Sequence, residues 1–349
     1  MLEDKIRERI RREGPITYEA FLDIVLYDEE EGYYREGKLP RRDYFTSPEI
    51  HPVFGKTIGR YIESIRTICG TNKITVIELG GGSALLAEQI VSSLAPGDAV
   101  EYVIVEKGKR KNSESVRWVS DLGDLTPIKG LAVVVANEFF DALPFHRVVM
   151  NDDGIEEIYV NVADRFTENT GPLSPEVRSF LSSRPLLLNL HQMSEVTTRS
   201  ADVLARLNDL LEEALLLLFD YGYHAEELLL GRFPEGSVVG YKDFLLRNDL
   251  TGDLGSLDIT HHVNFDHLSA VLIDLGWQKA GEIEQYRFLI HAGMLDEMML
   301  LPDNERIKAK NLINPQGLGS MVSTLGFTKN LRCKISGFNS KTFLSPEEI

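Results

Sequence analysis

Val76-Ile77-Glu78-Leu79-Gly80-Gly81-Gly82-Ser83-Ala84-Leu85-Leu86 reads as a buried strand, a glycine turn and the start of an apolar helix. A short aliphatic run bounded by glycine has the length and composition of a strand buried in a parallel sheet. Glycine has no Cβ, so the backbone at 80–82 can turn sharply and come directly against a ligand. The following helix points its unpaired N–H groups, and the positive end of its dipole, at whatever lies in the turn. The stretch therefore implies a nucleotide-type cofactor held at a strand end. The bland alternative is a glycine-rich connection that binds nothing.

The details of the loop choose the cofactor. In the dinucleotide fingerprint G-x-G-x-x-G the third glycine lets the helix pack on the strand. Gly80 and Gly82 fit the first two places, but Leu85 stands in the third, and Glu78 precedes the loop. E-x-G-x-G is the pattern of S-adenosyl-L-methionine sites, whose ligand has no pyrophosphate. Glu78, Gly80, Gly81 and Gly82 are thus candidate cofactor contacts, and a helix over 84–94 would receive the methionine carboxylate. An NAD-dependent enzyme is the minor alternative.

Composition narrows the classes. The chain has 349 residues, 43% of them hydrophobic, enough for one elaborated domain or two. No apolar run approaches the roughly 20 residues of a membrane span. The net charge of −17 opposes binding to phosphate backbones, so a nucleic-acid partner is not expected. Cys69 and Cys333 have no metal-ligand spacing, which argues against a disulfide framework or a zinc site. The first residues, Met1-Leu2-Glu3-Asp4-Lys5, mix charges and carry no apolar signal core, so a cytoplasmic protein is expected.

Apolar periodicity predicts helices over 3–12 and 17–26, broken at Gly14-Pro15, and a third built on Phe54, Ile58, Tyr61, Ile62 and Ile65. Strands are expected at 74–79, 101–105, 116–119, 131–136 and 214–219, and a hairpin at 148–151 and 155–160 closed by Asp152-Asp153-Gly154. Residues 163–185 read as an irregular insertion and 194–212 as a helix. A strand near 237–241, a helix over 265–275 and a strand over 280–287 follow. Strands alternating with helices argue for a doubly wound α/β sheet.

Chemistry-bearing residues sit at the strand ends. Glu106 closes the second strand, where a doubly wound sheet places the acid that takes cofactor ribose hydroxyls. Past the third strand, Asp121 would accept from the adenine amino group while Leu122 covers the ring; a plain turn aspartate is the competing reading. The fourth strand delivers Asn137-Glu138-Phe139-Phe140-Asp141-Ala142-Leu143-Pro144. One helical turn would put Glu138 and Asp141 on a single face, and paired carboxylates can hold a guanidinium fork. The competing reading is a hydrogen-bonded loop that braces the sheet. His261, His262 and His267 lack the spacing of a metal site and read as packing residues beside a helix cap.

Taken in order, these segments resemble the MidA-type S-adenosyl-L-methionine-dependent methyltransferase family, which includes the complex I assembly-factor arginine methyltransferases. The resemblance rests on Gly14-Pro15-Ile16, Gly32-Tyr33-Tyr34, Phe45-Thr46-Ser47-Pro48-Glu49, Glu78-Leu79-Gly80, the Asn137–Pro144 block, Asp220-Tyr221-Gly222, Asp258-Ile259-Thr260 and Phe288-Leu289. It departs from the family at Gly81, where a proline is usual, at Ala84, where the last loop glycine is usual, and at Arg42. It implies a class I (Rossmann-like) methyltransferase sheet with a helical N-terminal cap over 1–70 and a core over 71–292. It also implies an acceptor-side insertion at about 161–200 and a C-terminal extension over 293–349. Thr46, Ser47 and Pro48 of the cap would close over the methionyl end, Asn137 would line the floor, and Glu138 and Asp141 would orient the acceptor. The implied acceptor is an arginine of a partner protein, with a respiratory-complex subunit as one candidate. A small-molecule methyltransferase and a non-catalytic assembly factor that binds the cofactor are the rivals.

Overall fold

The computed structural model describes residues 1–35, 46–94, 100–107 and 115–338. The chain divides into two compact units, each assembled from separate stretches. One comprises Phe45–Phe139, Arg206–Tyr221 and Leu272–Ile349; the other comprises Met1–Tyr44, Phe140–Ala205 and Gly222–Val271.

The first unit is built on a seven-stranded sheet. Its strands are β1 (Ile74–Leu79), β2 (Val100–Val105), β3 (Arg117–Val119), β4 (Ile128–Asn137), β5 (Leu211–Asp220), β6 (Gln278–Glu284) and β7 (Ser323–Lys329). Their spatial order is β3-β2-β1-β4-β5-β7-β6. The strands β1 to β5 run parallel, and β7 is antiparallel to both β5 and β6. Ala132–Ala136 and Ala214–Phe219 are wholly buried, as expected of central strands covered on both faces. Over one face, the helix Val53–Ile68 lays Phe54, Ile58, Ile62 and Ile65 at helical spacing against Val76, Val133 and Leu215. Phe219 stands between Phe54 and Phe288, with ring centroids 5.6 and 5.4 Å away. Each such fully buried side chain contributes roughly 1.5–3 kcal/mol. Strand order reverses between β1 and β4, which opens a crevice at their carboxyl ends, the place where such sheets bind ligands.

The second unit carries the helices Leu2–Glu13 and Tyr18–Tyr27. Thr17 caps the latter, its Oγ1 accepting from Ala20 N at 3.2 Å. They pack through Ile6, Phe21 and Leu22 against Phe145, Val160 and Ile259. An antiparallel sheet runs Ile16–Thr17, Gly154–Val162, His146–Asn151, Met193–Val196, with Phe166–Gly171 paired to Gly154–Val162. Buried within this unit is an ion network. His146 Nδ1 lies 2.7 Å from Glu157 Oε1 and Nε2 lies 2.8 Å from Glu19 Oε2. Glu19 also pairs with Arg199, and Arg199 with Asp23, each at 3.0 Å.

Several expectations need correction. The helix expected over 194–212 begins only at Thr198, because Met193–Val196 pairs with His146–Val149 as a strand. The insertion at 163–185 is ordered: Phe166–Gly171 is a strand and Pro175–Ser183 a helix, with proline in the first turn where its missing N–H costs nothing. Cys69 and Cys333 are joined by a disulfide across a separation of 264 residues, against the expectation of none. Such pairing depends on the fold bringing distant segments together, which spacing alone does not show. The division is also not the contiguous one expected. The helices up to Tyr27 belong with the second unit while Val53–Ile68 belongs with the sheet, and 140–205 and 222–271 leave the sheet unit altogether. Arg42 and Phe45 lie outside the described residues.

Candidate active site

Strand β1 delivers the glycine loop to the crevice. Gly80 turns at φ +70° and its N–H donates to Val105 O at 3.0 Å, tying the loop to the end of β2. A Cβ on Gly80 would stand 2.8 Å from the Phe139 ring, and one on Gly81 would collide with Ile104. Gly82, at φ +48°, has nothing within 4 Å of where its Cβ would be. The loop is thus pressed onto the ends of β2 and β4 on one side and open on the other. Ala84 begins the helix Leu85–Val91 at φ +67°, a left-handed conformation that costs a non-glycine residue about 1–2 kcal/mol. Glu106 reaches back from β2, its Oε2 accepting from Gly82 N at 3.2 Å. Gly82→Val should fill the open side and strain the loop. Titration calorimetry is expected to show cofactor affinity reduced by about a hundred-fold, with the fold retained.

Glu78 is almost completely buried two residues before the loop's first glycine and accepts a hydrogen bond from Tyr102 Oη at 2.6 Å. Burial, with a smaller push from the Glu106 charge, raises its carboxyl to about 7 against the Tyr102 hydrogen bond. A raised carboxyl means that the folded chain holds the proton more tightly than the unfolded one. Stability therefore falls as pH rises from about 4.5 to 7. Glu78→Gln keeps an acceptor for Tyr102 and removes the titration. Urea unfolding at pH 5 and pH 8 should show the variant spared a loss of roughly 2–3 kcal/mol relative to the parent.

The end of β4 concentrates polar atoms. Asn137 Oδ1 and Glu138 Oε2 are buried with no hydrogen-bond partner among the described residues. Asn137 Nδ2 donates weakly to Glu138 Oε1 at 3.4 Å. Glu138 turns at φ +49° in a bend, so the single helical turn expected to align it with Asp141 does not form. Burial and then the charge of Asp220 raise the Glu138 carboxyl to about 8, opposed by the Ser47 N–H and the Asn137 amide. Asp220, wholly buried at the end of β5, enters the sequence reading only within the Asp220-Tyr221-Gly222 segment of the family resemblance, with no role at the site. The signal was there: a charged residue rarely ends a fully buried strand without a task.

Other expected contacts are engaged differently. Thr46 and Glu49 cap the short helix Ser47–Ile50, Thr46 N donating to Glu49 Oε2 at 3.1 Å. Ser47 is buried and bonded to the Gln285 amide at 3.0–3.1 Å, and the Pro48 carbonyl accepts from Gln89 Nε2 at 2.8 Å. These contacts fix the segment to the sheet unit. Asp121 is exposed, accepts from Gly123 N at 2.8 Å and pairs with Arg206, while Leu122 is buried. That is the geometry of a turn aspartate. Asp141 belongs to the second unit, where its carbonyl accepts from the His261 backbone N–H at 3.1 Å and ring Nδ1 at 2.8 Å. His261, pushed down to about 3 by burial, is neutral and structural.

A family described as "Putative S-adenosyl-L-methionine-dependent methyltransferase" matches residues 57–283. The chain belongs to that family. The methyltransferase is also similar to curated relatives named protein arginine methyltransferase NDUFAF7, mitochondrial. The cattle protein is 24% identical, over 96% of this chain and 84% of the relative; the human protein is 24% identical, over 84% and 74%. A crystal structure of a Burkholderia thailandensis superfamily protein bound to S-adenosyl-homocysteine superposes with a TM-score of 0.84 at 22% identity, covering 97% of this chain and 95% of that one. Its fold is the fold of this methyltransferase, and the sheet order is that of class I. The mitochondrial names of the relatives overturn the cytoplasmic placement expected from the mixed charges of the first residues. The cofactor is S-adenosyl-L-methionine, and the loop fits it: backbone open at Gly82, a carboxylate at Glu106 and buried acceptors at the floor.

Proposed function

We propose that the protein transfers a methyl group to a side-chain nitrogen of an arginine in a partner protein. The observation that carries this reading is the pair of buried, unpartnered acceptor atoms, Asn137 Oδ1 and Glu138 Oε2, at the end of β4. A floor of acceptors calls for a donor-rich group, and a guanidinium offers five N–H donors and a charge. The names of the relatives support the same acceptor. Bound S-adenosyl-L-methionine supplies a sulfonium methyl whose C–S bonding pair leaves with sulfur as the new N–C bond forms.

The chain's own residues bind, align and discharge. Backbone at 80–82 and the start of helix Leu85–Val91 would hold the methionyl end, and Glu106 the ribose. Leu122 would cover the adenine, and the Ser47–Pro48 segment would bound the methionyl end. Glu138 would take the guanidinium and fix one nitrogen in line with the methyl. Alignment of this kind contributes several kcal/mol because the leaving group is already activated. The family resemblance supports a respiratory-complex subunit as the partner and complex assembly as the setting.

The test is incubation of the purified protein with isotopically labelled S-adenosyl-L-methionine and host-cell extract, followed by mass spectrometry of the labelled peptide. Label on an arginine supports the reading. Label confined to small molecules, or on another residue type, overturns it.

A further inference from the structure

We propose that Asp220 is the second carboxylate of the acceptor site, paired with Glu138 across the ends of β4 and β5, and that one exchangeable proton on this pair gives way to the incoming cation. The proposal deepens the arginine-methyltransferase reading and rests on it.

The strand register makes the pair. In the parallel β4–β5 ladder Asn137 stands opposite Phe219, and Glu138 N–H donates to Phe219 O at 2.8 Å. The next residue of β5 is Asp220, so two acids end adjacent central strands side by side. Asp220 is wholly buried, and its Oδ1 accepts from Tyr221 N at 2.9 Å. Two buried carboxylates side by side cannot both ionise cheaply, and one of them keeps a proton. The unpartnered Glu138 Oε2 and Asn137 Oδ1 are a separate indication that the site awaits a donor. Glu138 also sits at φ +49°, a strained conformation for a long side chain, which the surrounding structure must hold in place. The groups facing Glu138 are Asp220 from β5, the Ser47 N–H and, more weakly, Glu49 from helix Ser47–Ile50, and the Asn137 amide on its own strand. The only formal charges in that set are negative.

The chemistry follows. In the resting site Glu138 carries the proton. A guanidinium entering the pair brings a positive charge, and the carboxyl releases its proton to water, leaving two carboxylates on one cation. When the nitrogen has accepted the methyl group, it must lose one proton, and Glu138 is placed to take it back. The site then returns to its starting charge, and the methylated side chain leaves as a guanidinium cation, the proton given to water on binding being the one the reaction releases.

The test follows the Glu138 carboxyl directly by carbon NMR of protein labelled at glutamate side-chain carboxyls, with S-adenosyl-homocysteine bound. Glu138→Gln assigns the resonance by removing it. The parent should titrate near 8, and Asp220→Asn should lower the midpoint by about one pH unit. Adding N-acetyl-arginine amide to the parent should also lower the midpoint, with proton release visible as a buffer-dependent heat in calorimetry. The parent arm needs no variant to fold. A midpoint that Asp220→Asn leaves unmoved in a folded protein overturns the pairing. A midpoint that moves in Asp220→Asn but ignores the arginine probe overturns the arginine acceptor while the carboxylate pair stands.

Discussion

Glu138→Gln is expected to lower single-turnover methyl transfer about a thousand-fold while S-adenosyl-L-methionine affinity stays within about two-fold of the parent. The amide has the size of the carboxyl and keeps one acceptor, so the local packing survives. What it loses is the negative charge that would hold the acceptor cation and the ability to take a proton. Because that interaction acts on the acceptor, the cofactor's own binding should not register the change. The pH dependence gives a second signature. Burial and the Asp220 charge hold the Glu138 carboxyl at about 8, so it is largely protonated at neutral pH and ionises as pH rises through that value. The parent's kcat/KM should therefore climb between about pH 7 and 9, and the residual rate of the variant should lack that climb. A variant that loses cofactor affinity in step with rate would place Glu138 in the cofactor site.

His146→Ala is expected to destabilise the protein by about 3–5 kcal/mol in urea unfolding at pH 6. The imidazolium lies between Glu157, whose side chain is fully buried, and Glu19. Burial alone would lower its proton affinity, but the two carboxylates raise it to about 9. Truncation leaves both acids facing an empty space. Glu157 retains Ser174 N at 2.6 Å, and Glu19 retains Arg199 and Thr198 Oγ1 at 3.0 Å, so the loss stops short of a bare buried charge. The pH window follows from the directions of the shifts. His146 is raised above its ordinary 6.5, so its contribution is complete below about 6.5 and disappears as pH rises through about 9. Glu19 is held at about 2 by His146 and Arg199 against the effect of burial, so its contribution is complete above about 4.5 and disappears on acidification toward 2. The difference between parent and variant should be greatest between those limits and shrink above pH 9. A constant difference at all pH values would mean that His146 acts by packing alone.

The parts legible in the sequence are those whose periodicity or chemistry is local. Strand 74–79, the glycine turn after it and the position of Glu106 at the end of the next strand are legible because a parallel strand is a continuous apolar run with clear ends. The extra length of β4 and β5, by contrast, includes polar residues such as Lys129 and Glu212 that the apolar run does not announce. Residues 194–196 read as the start of the following helix because Val203, Leu204, Leu207, Leu210 and Leu211 form a helical stripe just beyond them, while the pairing with His146–Val149 is non-local. The discontinuous division, the disulfide and the His146 network all depend on contacts between residues far apart in the chain. At the site, the acid three residues beyond Glu138 was chosen by sequence spacing, whereas the register of β5 brings Asp220 beside it instead. Ser47 and Pro48 carry a specific motif, but only the coordinates show that their polar groups are spent on Gln285 and Gln89.

Cofactor and acceptor chemistry are proposed to meet at the carboxyl ends of β1, β2 and β4. A crystal structure of this protein with S-adenosyl-homocysteine tests this most directly. The ligand's backbone-contacting end is expected on the open side of Gly82, its ribose hydroxyls within hydrogen-bond distance of the Glu106 carboxylate, and its sulfur on the side of Asn137 and Glu138. A ligand bound elsewhere, or one whose sulfur is turned away from Glu138 with the ribose on another acid, would contradict it.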